Sequence, residues 1–236
     1  MIVMPANASG WIWHSMARET GRIGHLYSPG GERGPWPWLP YALDNGAFSL
    51  WDQVANAFDE ARWIEHGLPA WRRLLFWASS ATQKPLWGIA PDTPGNWSAT
   101  KIKWQNYASE LMNSGINVAL AVQDGALVEE VRTLHPVPDV ICVGGSTEWK
   151  WQTAEMWLQN FPRVHLLRCN SPQKLQWLQD RGCESCDGTG WNRGNRMQTQ
   201  GLEEWARKNA KPTFFPLHPY ACRAKRKSER HQLIFA

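Results

Sequence analysis

The sequence predicts an α/β protein of the (β/α)8 TIM-type barrel class, built as one compact domain over residues 1–236. Three observations carry that expectation. Short apolar runs alternate with turns and amphipathic stretches along the whole chain, the rhythm of parallel strands joined by helices. About eight such runs can be counted, enough to close a sheet on itself. The length suits one core and is too short for two ordinary ones. An open doubly wound sheet of six or seven strands is the competing architecture.

Ile2-Val3-Met4 reads as the first strand. The stretch from Met4 to Leu39 is rich in Gly, Pro and Trp, too long for a simple connection, and is expected to hold a lid or an extra helix. Residues 40–44 read as the second strand, and Val54, Ala55, Phe58 and Ala61 make a helical stripe after it. Residues 86–90 form the third, followed by a helix with Trp104, Ala108, Leu111 and Met112 on one face. Residues 117–122 precede a helix carrying Leu127, Val128, Val131 and Leu134, and residues 139–143 precede one carrying Ala154, Trp157, Leu158 and Phe161. Residues 163–168 lead into Ser171-Pro172, a cap followed by proline in the first helical turn. A short strand near 183–186, a helix over about 201–210 and a strand at Thr213-Phe214-Phe215 complete the count.

Composition narrows the function classes. Hydrophobic residues at 43% with 19% charged residues describe a globular chain and exclude a disordered or collagen-like one. No stretch approaches the roughly 20 apolar residues that span a bilayer, so no membrane partner is expected. Met1 to Pro5 lacks the basic and apolar regions of an export signal, which predicts a cytoplasmic protein. Five cysteines, an odd number, fit thiols better than a disulfide framework. The seven histidines show no paired metal-ligand spacing.

Charge is uneven. The net charge is +4, yet residues 211–236 hold six Lys or Arg against Glu229, which leaves the remainder slightly acidic. This basic C-terminal segment, with Arg223, Lys225, Arg226 and Lys227 at its centre, is a candidate phosphate-contacting surface, and a solvated tail is the alternative. The chain also has 17 Trp, several beside Arg or Lys. Such indoles stack on bases in some proteins, but at least half fall at helical spacing and read as core.

In a barrel of this class the chemistry lies at the C-terminal strand ends. Those positions hold Asp44-Asn45-Gly46-Ala47-Phe48, Asp92, Gln123-Asp124-Gly125, Gly144-Gly145 and Asp187-Gly188-Thr189-Gly190. Carboxylates converging there suit glycosyl transfer, one at the anomeric carbon and another on the leaving group's proton. They would equally suit a hard divalent cation. Singly, each Asp reads as a turn or cap residue.

The order of these motifs resembles the tRNA-guanine (queuine) transglycosylases and their DNA-acting relatives, the 7-deazaguanine DNA transglycosylases of phages and bacterial islands. That pattern has Asp-Ser-Gly-Gly-Phe/Tyr, an Asp at a strand end, Val-Gln-Gly, Gly-Gly and a late catalytic Asp. Here the matches are Asp44 to Phe48, Asp92, Val122-Gln123, Gly144-Gly145 and Asp187, covering roughly residues 41–194. Asn45 and Ala47 depart from the first motif, and Asp124 intervenes before Gly125. The family's Cys-x-Cys-x-x-Cys zinc module is missing; Cys183 and Cys186 with His218 and Cys222 are a weak substitute, and no metal is expected.

The resemblance implies a base exchange without cofactor, in which a 7-deazaguanine base of the preQ0 type replaces guanine in DNA, tRNA being the less favoured substrate. Asp187 would be the nucleophile and Asp44 the acid/base. Asp92 would accept from the guanine edge, Gln123 and the backbone N–H of Gly144 or Gly145 would donate to O6, and Phe48 would line the base site. Just beyond Asp187, Trp191 and Arg193 are candidate nucleic-acid contacts. A tRNA enzyme, a hydrolytic nucleoside- or glycoside-processing barrel and a non-catalytic nucleic-acid-binding subunit are the alternatives.

Overall fold

The computed structural model describes residues 1–6, 10–52, 57–194 and 196–211. Along the chain come β1 (Ile2–Pro5), α1 (Trp11–Thr20), β2 (His25–Tyr27), β3 (Tyr41–Leu43) and a small antiparallel ribbon of β4 (Trp51–Asp52) and β5 (Ala57–Phe58). Next come α2 (Glu60–Arg62), a π-helical turn over Trp63–Gly67, α3 (Leu68–Ser80), β6 (Gly88–Ile89), α4 (Trp97–Asn113), β7 (Val118–Val122) and α5 (Val128–Arg132). The chain continues through β8 (Val140–Val143), α6 (Thr147–Asn160), β9 (Val164–Leu166), α7 (Pro172–Asp180), β10 (Ser185–Gly188), α8 (Gly190–Arg193) and α9 (Arg196–Lys208).

Eight strands form one parallel sheet in the order β1-β10-β9-β8-β7-β6-β3-β2. Parallel bridges from Val3 to Ile23 and from Ala6 to Leu26 bring the two ends together, so the sheet is nearly closed and barrel-like. The fold class expected from the sequence is therefore present at this level. One strand differs: the eighth is β2, three residues inside the stretch expected to hold a lid, whereas residues 213–215 lie outside those described. The basic residues Arg223, Lys225, Arg226 and Lys227, with His218 and Cys222, lie outside them too.

Strand alternation builds two apolar cores. One set, with Met4, Leu26, Ala42, Trp87, Ile89, Ala119, Ala121 and Cys142, packs inside the sheet. The larger set joins the opposite strand faces, such as Leu43, Leu120, Val122, Ile141 and Leu166, to helix residues such as Trp71, Trp104, Trp157 and Trp205. Small side chains on β3, β7 and β8 make room inside for the Trp87 indole. Ten tryptophans are buried in all, so the indoles serve mainly as packing.

Several helix assignments shift. Of the stripe expected after β3, Val54 and Ala55 lie outside the described residues, Phe58 is in the ribbon and Ala61 is exposed in α2. The long helix there is α3, which buries Trp71, Leu74, Leu75 and Ala78. Met112 and Leu127 are exposed, because Met112 turns off the buried face of α4 and Leu127 precedes α5. Ser146 caps α6 through its side chain, and Asn96 does the same for α4. Among the described residues no helix is long and apolar enough to cross a membrane.

Candidate active site at the strand C-termini

Parallel strands put their C-terminal ends on one side, and there the residues after β3, β6, β7 and β8 join in a single hydrogen-bonded chain. Asn45 is buried and donates from Nδ2 to the Ala90 carbonyl at 2.8 Å and to Asp92 Oδ1 at 2.9 Å. Its Oδ1 accepts from the Ala47 amide at 2.8 Å, which fixes the side-chain amide with its nitrogen toward Asp92. On the other side, Gln123 Nε2 donates to Asp92 Oδ2 at 2.5 Å. Gln123 Oε1 accepts from the amides of Gly95 at 3.0 Å and Gly145 at 2.9 Å. Asp92 is thus held by two amide groups that can only face it as donors.

Burial pushes the Asp92 carboxyl up to about 6, and the neighbouring Asp44 adds to the rise. The bonds from Asn45 and Gln123 and the Lys103 charge oppose it. Asp44, partly open in the mouth, accepts from the Ser28 hydroxyl at 2.8 Å. Its pKa is raised, chiefly by desolvation and then by the charge of Asp187, against the Ser28 bond. The three carboxylates therefore share one electrostatic neighbourhood.

Asp187 follows Cys186 on β10, with its side chain nearly buried. The Arg168 amide donates to its Oδ1 at 2.8 Å, and His165 Nε2 lies 3.2 Å from the same oxygen. Arg168 has φ 55, a left-handed conformation that costs a non-glycine residue roughly 1–2 kcal/mol. This turn aims the amide at Asp187 while the guanidinium reaches back to the Gly145 carbonyl and lies 4.7 Å above the Phe48 ring. Phe48 is 56% exposed, so it presents one face of its ring at the mouth.

The glycine pair behaves differently from expectation. The Gly144 amide donates to Val122 O at 2.9 Å and the Gly145 amide to Gln123 Oε1, so both N–H groups are already engaged. Gly145 serves by shape: its φ is +69, and a Cβ there would sit 2.4 Å from Asp124 Oδ2. Asp124 in turn accepts from the Ser146 amide at 2.7 Å and the Ser146 hydroxyl at 2.6 Å, tying the turn after β7 to the start of α6.

Trp191 must also be corrected. It is 1% exposed and packed in the core, so its ring faces are covered by protein. Arg193 is exposed on α8, two residues further on. Gly188 and Gly190 pack tightly on Asn170, which accepts from the Gly190 amide at 2.8 Å; the turn is closed by a side chain of the protein. An open groove of about 700 Å³ between α7 and α9 begins at Asn170 and is lined by Gln173, Met197, Trp205 and Lys208. None of the three carboxylates lines it.

Sequence reasoning missed four residues. His165 was a histidine without a partner in the sequence, and Arg168 a strand-end cation. Lys150 is buried and donates to Leu167 O at 2.7 Å, with burial drawing its amine down to about 8. Lys103, also buried, donates to Asp92 O at 3.2 Å, pairs with Glu60 at 2.9 Å and lies 4.1 Å from the Phe58 ring centre. These two amines brace the backbone behind Arg168 and Asp92. Cys183 and Cys186 are buried, and among the described residues no group of three or more His, Cys, Asp or Glu is placed to hold a metal.

No protein-family model matches the chain, and no curated protein matches it.

Proposed function

We propose that this protein is a base-exchange glycosyltransferase on a (β/α)8 barrel, which replaces guanine in DNA by a 7-deazaguanine derivative through a covalent Asp187–sugar ester. The observation that carries the reading is the contrast between two neighbouring carboxylates. Asp44 has its pKa raised by burial and by Asp187, as suits a group that holds a proton. Asp187 accepts from the Arg168 amide on Oδ1, with His165 Nε2 at 3.2 Å from the same oxygen, as suits an oriented nucleophile.

In the first half-reaction a carboxylate oxygen of Asp187 attacks C1′ of a deoxyguanosine as the C1′–N9 bond breaks. The bond's electron pair leaves on N9, and Asp44 supplies the proton that neutralises the departing base. In the second half the incoming base gives its N9 proton to Asp44 and attacks C1′, and the C1′–O bond to Asp187 breaks with its electrons returning to the carboxylate. Two displacements retain configuration at C1′.

Asp92 is the acceptor for N1–H and the exocyclic amine, because each of its oxygens keeps a lone pair beyond the amide it already binds. One Gln123 amide proton remains to donate to O6. An adenine-like edge would leave Asp92 without donors, at about 1–3 kcal/mol for each unpaired group. Phe48, with Arg168 behind it, offers a stacking face for the base.

The test combines product and intermediate. Nucleosides from DNA and from tRNA of cells making the protein with a 7-deazaguanine source are analysed by mass spectrometry. The expected result is a deazaguanine nucleoside in DNA; the modified base in tRNA alone would assign the tRNA enzyme, and free guanine without incorporation the hydrolytic one. With purified protein, wild type should form a denaturation-stable DNA adduct. Asp187→Asn should lose exchange by on the order of 10³ to 10⁶ with DNA affinity near wild type. An adduct that survives in Asp187→Asn and vanishes in Asp44→Asn would exchange the two roles.

A further inference from the structure

Below the mouth, inside the sheet, lies a polar row that the base-exchange scheme does not use. Ser185 and Asp187 are two residues apart on β10 and so face the same side, and Ser185 pairs with His165 on β9. Both Ser185 and His165 are fully buried, and the imidazole packs edge-on against Trp87 with ring centres 4.7 Å apart. Ser185 Oγ lies 2.8 Å from His165 Nδ1, and His165 Nε2 lies 3.2 Å from Asp187 Oδ1.

The order of protons follows from the acceptor at the end of the row. The base-exchange scheme needs Asp187 as a carboxylate, which can only accept, so in that scheme Nε2 carries the hydrogen and Nδ1 keeps its lone pair. The Ser185 hydroxyl must then be the donor to Nδ1. Removing that hydroxyl leaves Nδ1 without its donor, so the ring keeps Nε2–H toward Asp187 but loses the bond that fixes its orientation.

Both donors to Asp187, His165 and the Arg168 amide, fall on Oδ1. Among the described residues no hydrogen bond reaches Oδ2. We infer that Ser185 and His165 form a positioning relay that clamps Oδ1 of Asp187 and thereby makes Oδ2 the attacking oxygen. This rests on the base-exchange reading. When Oδ2 bonds to C1′, Oδ1 becomes the ester carbonyl oxygen and still accepts from the same two donors. The clamp therefore serves the free carboxylate and the ester without rearrangement, which is how preorganised donors assist a reaction.

Ser185 touches neither Asp187 nor substrate, so its substitution probes the relay alone. Wild type, Ser185→Ala and Ser185→Thr are compared in exchange of labelled guanine into guanine-containing duplex DNA. The imidazole tautomer of His165 is read from 15N spectra of the same samples. The expected result is the Nε2–H tautomer in wild type and in Ser185→Ala, an Nδ1 resonance in Ser185→Ala shifted to that of a nitrogen without a hydrogen bond, and a kcat lower by roughly tenfold to a hundredfold with KM for guanine unchanged. Ser185→Thr, which restores a hydroxyl, should recover the hydrogen bond at Nδ1 and most of the rate.

An Nδ1–H tautomer in wild type would overturn the relay whatever the variants do. So would a wild-type enzyme that exchanges guanine while Ser185→Ala matches its kcat. A wild-type protein that shows the Nε2–H tautomer yet neither exchanges guanine nor forms an adduct would instead overturn the base-exchange reading, and with it the assignment of Oδ2.

Discussion

Asp92 is the residue whose titration should pull stability and base binding in opposite directions. Its carboxyl moves from an ordinary 3.8 to about 6 because burial disfavours the anion more than Asn45, Gln123 and Lys103 favour it. The folded chain therefore holds this proton more tightly than the unfolded chain. Stability from this group is fully present below about pH 4 and is lost as pH rises through about 6, a total of about 3 kcal/mol at 1.36 kcal/mol per unit. Asp92→Asn removes the titration. It also adds a constant cost, since one face of the new amide meets the nitrogen of Asn45 or Gln123, both locked as donors by backbone amides. That offset is about 1–3 kcal/mol and does not depend on pH. Urea unfolding of both proteins between about pH 4 and 7 gives the difference, wild type minus variant, which should fall by up to about 3 kcal/mol across the range. Base binding runs the other way: at pH 5 only about a tenth of Asp92 is ionised, so guanine affinity by calorimetry should be roughly tenfold weaker than at pH 7. A stability difference that is flat or rises with pH would refute the account of Asp92 as a buried, net-destabilised anion.

The rim and the tail make three further expectations. Gly145→Ala should lower the unfolding free energy by about 2 kcal/mol or more in urea titration, because it combines a positive φ with a contact on the Asp124 carboxylate. Arg168→Ala should cost on the order of 1 kcal/mol from the lost bond to Gly145 O and the lost Phe48 stack. It should still form the DNA adduct, since the amide to Asp187 belongs to the backbone; loss of the adduct with the fold intact would show that the guanidinium itself acts on the reaction. Neutralising Arg223, Lys225, Arg226 and Lys227 should flatten the log–log salt dependence of DNA binding by up to about 3 to 4 units, and an unchanged slope would make the segment a solvated one.

What could be read from sequence was whatever a period or a strand end announces. Val118 to Val122 and Val140 to Val143 are continuous apolar runs, and the polar residues just past them could be named as neighbours before any coordinates. β2 could not be found that way. It is three residues long, begins with histidine and lies among prolines and glycines, so it owes its state to pairing with β3. α3 was hidden by the π-helical turn before it, which shifts the phase of the apolar stripe. Gly144 and Gly145 were assigned free amides because a sequence does not show which acceptors are already taken. His165 left a faint trace, one polar residue in an otherwise apolar strand, opposite a segment with Ser185 and Asp187 two apart. Only the register of β9 on β10 turns that trace into a contact.

The chain of bonds through Asn45, Asp92 and Gln123 has a dynamic consequence. It ends on the backbone amides of Ala47, Gly95 and Gly145, which belong to turns after three different strands. None of these amides can exchange its hydrogen with solvent through a local opening without releasing a side chain that another turn needs. The three should therefore show a common protection factor in native-state hydrogen exchange, set by the opening of the whole mouth rather than by the length of each loop. The site would then close and loosen as one cooperative unit, and a substitution in any of these turns would be felt as faster exchange in the other two.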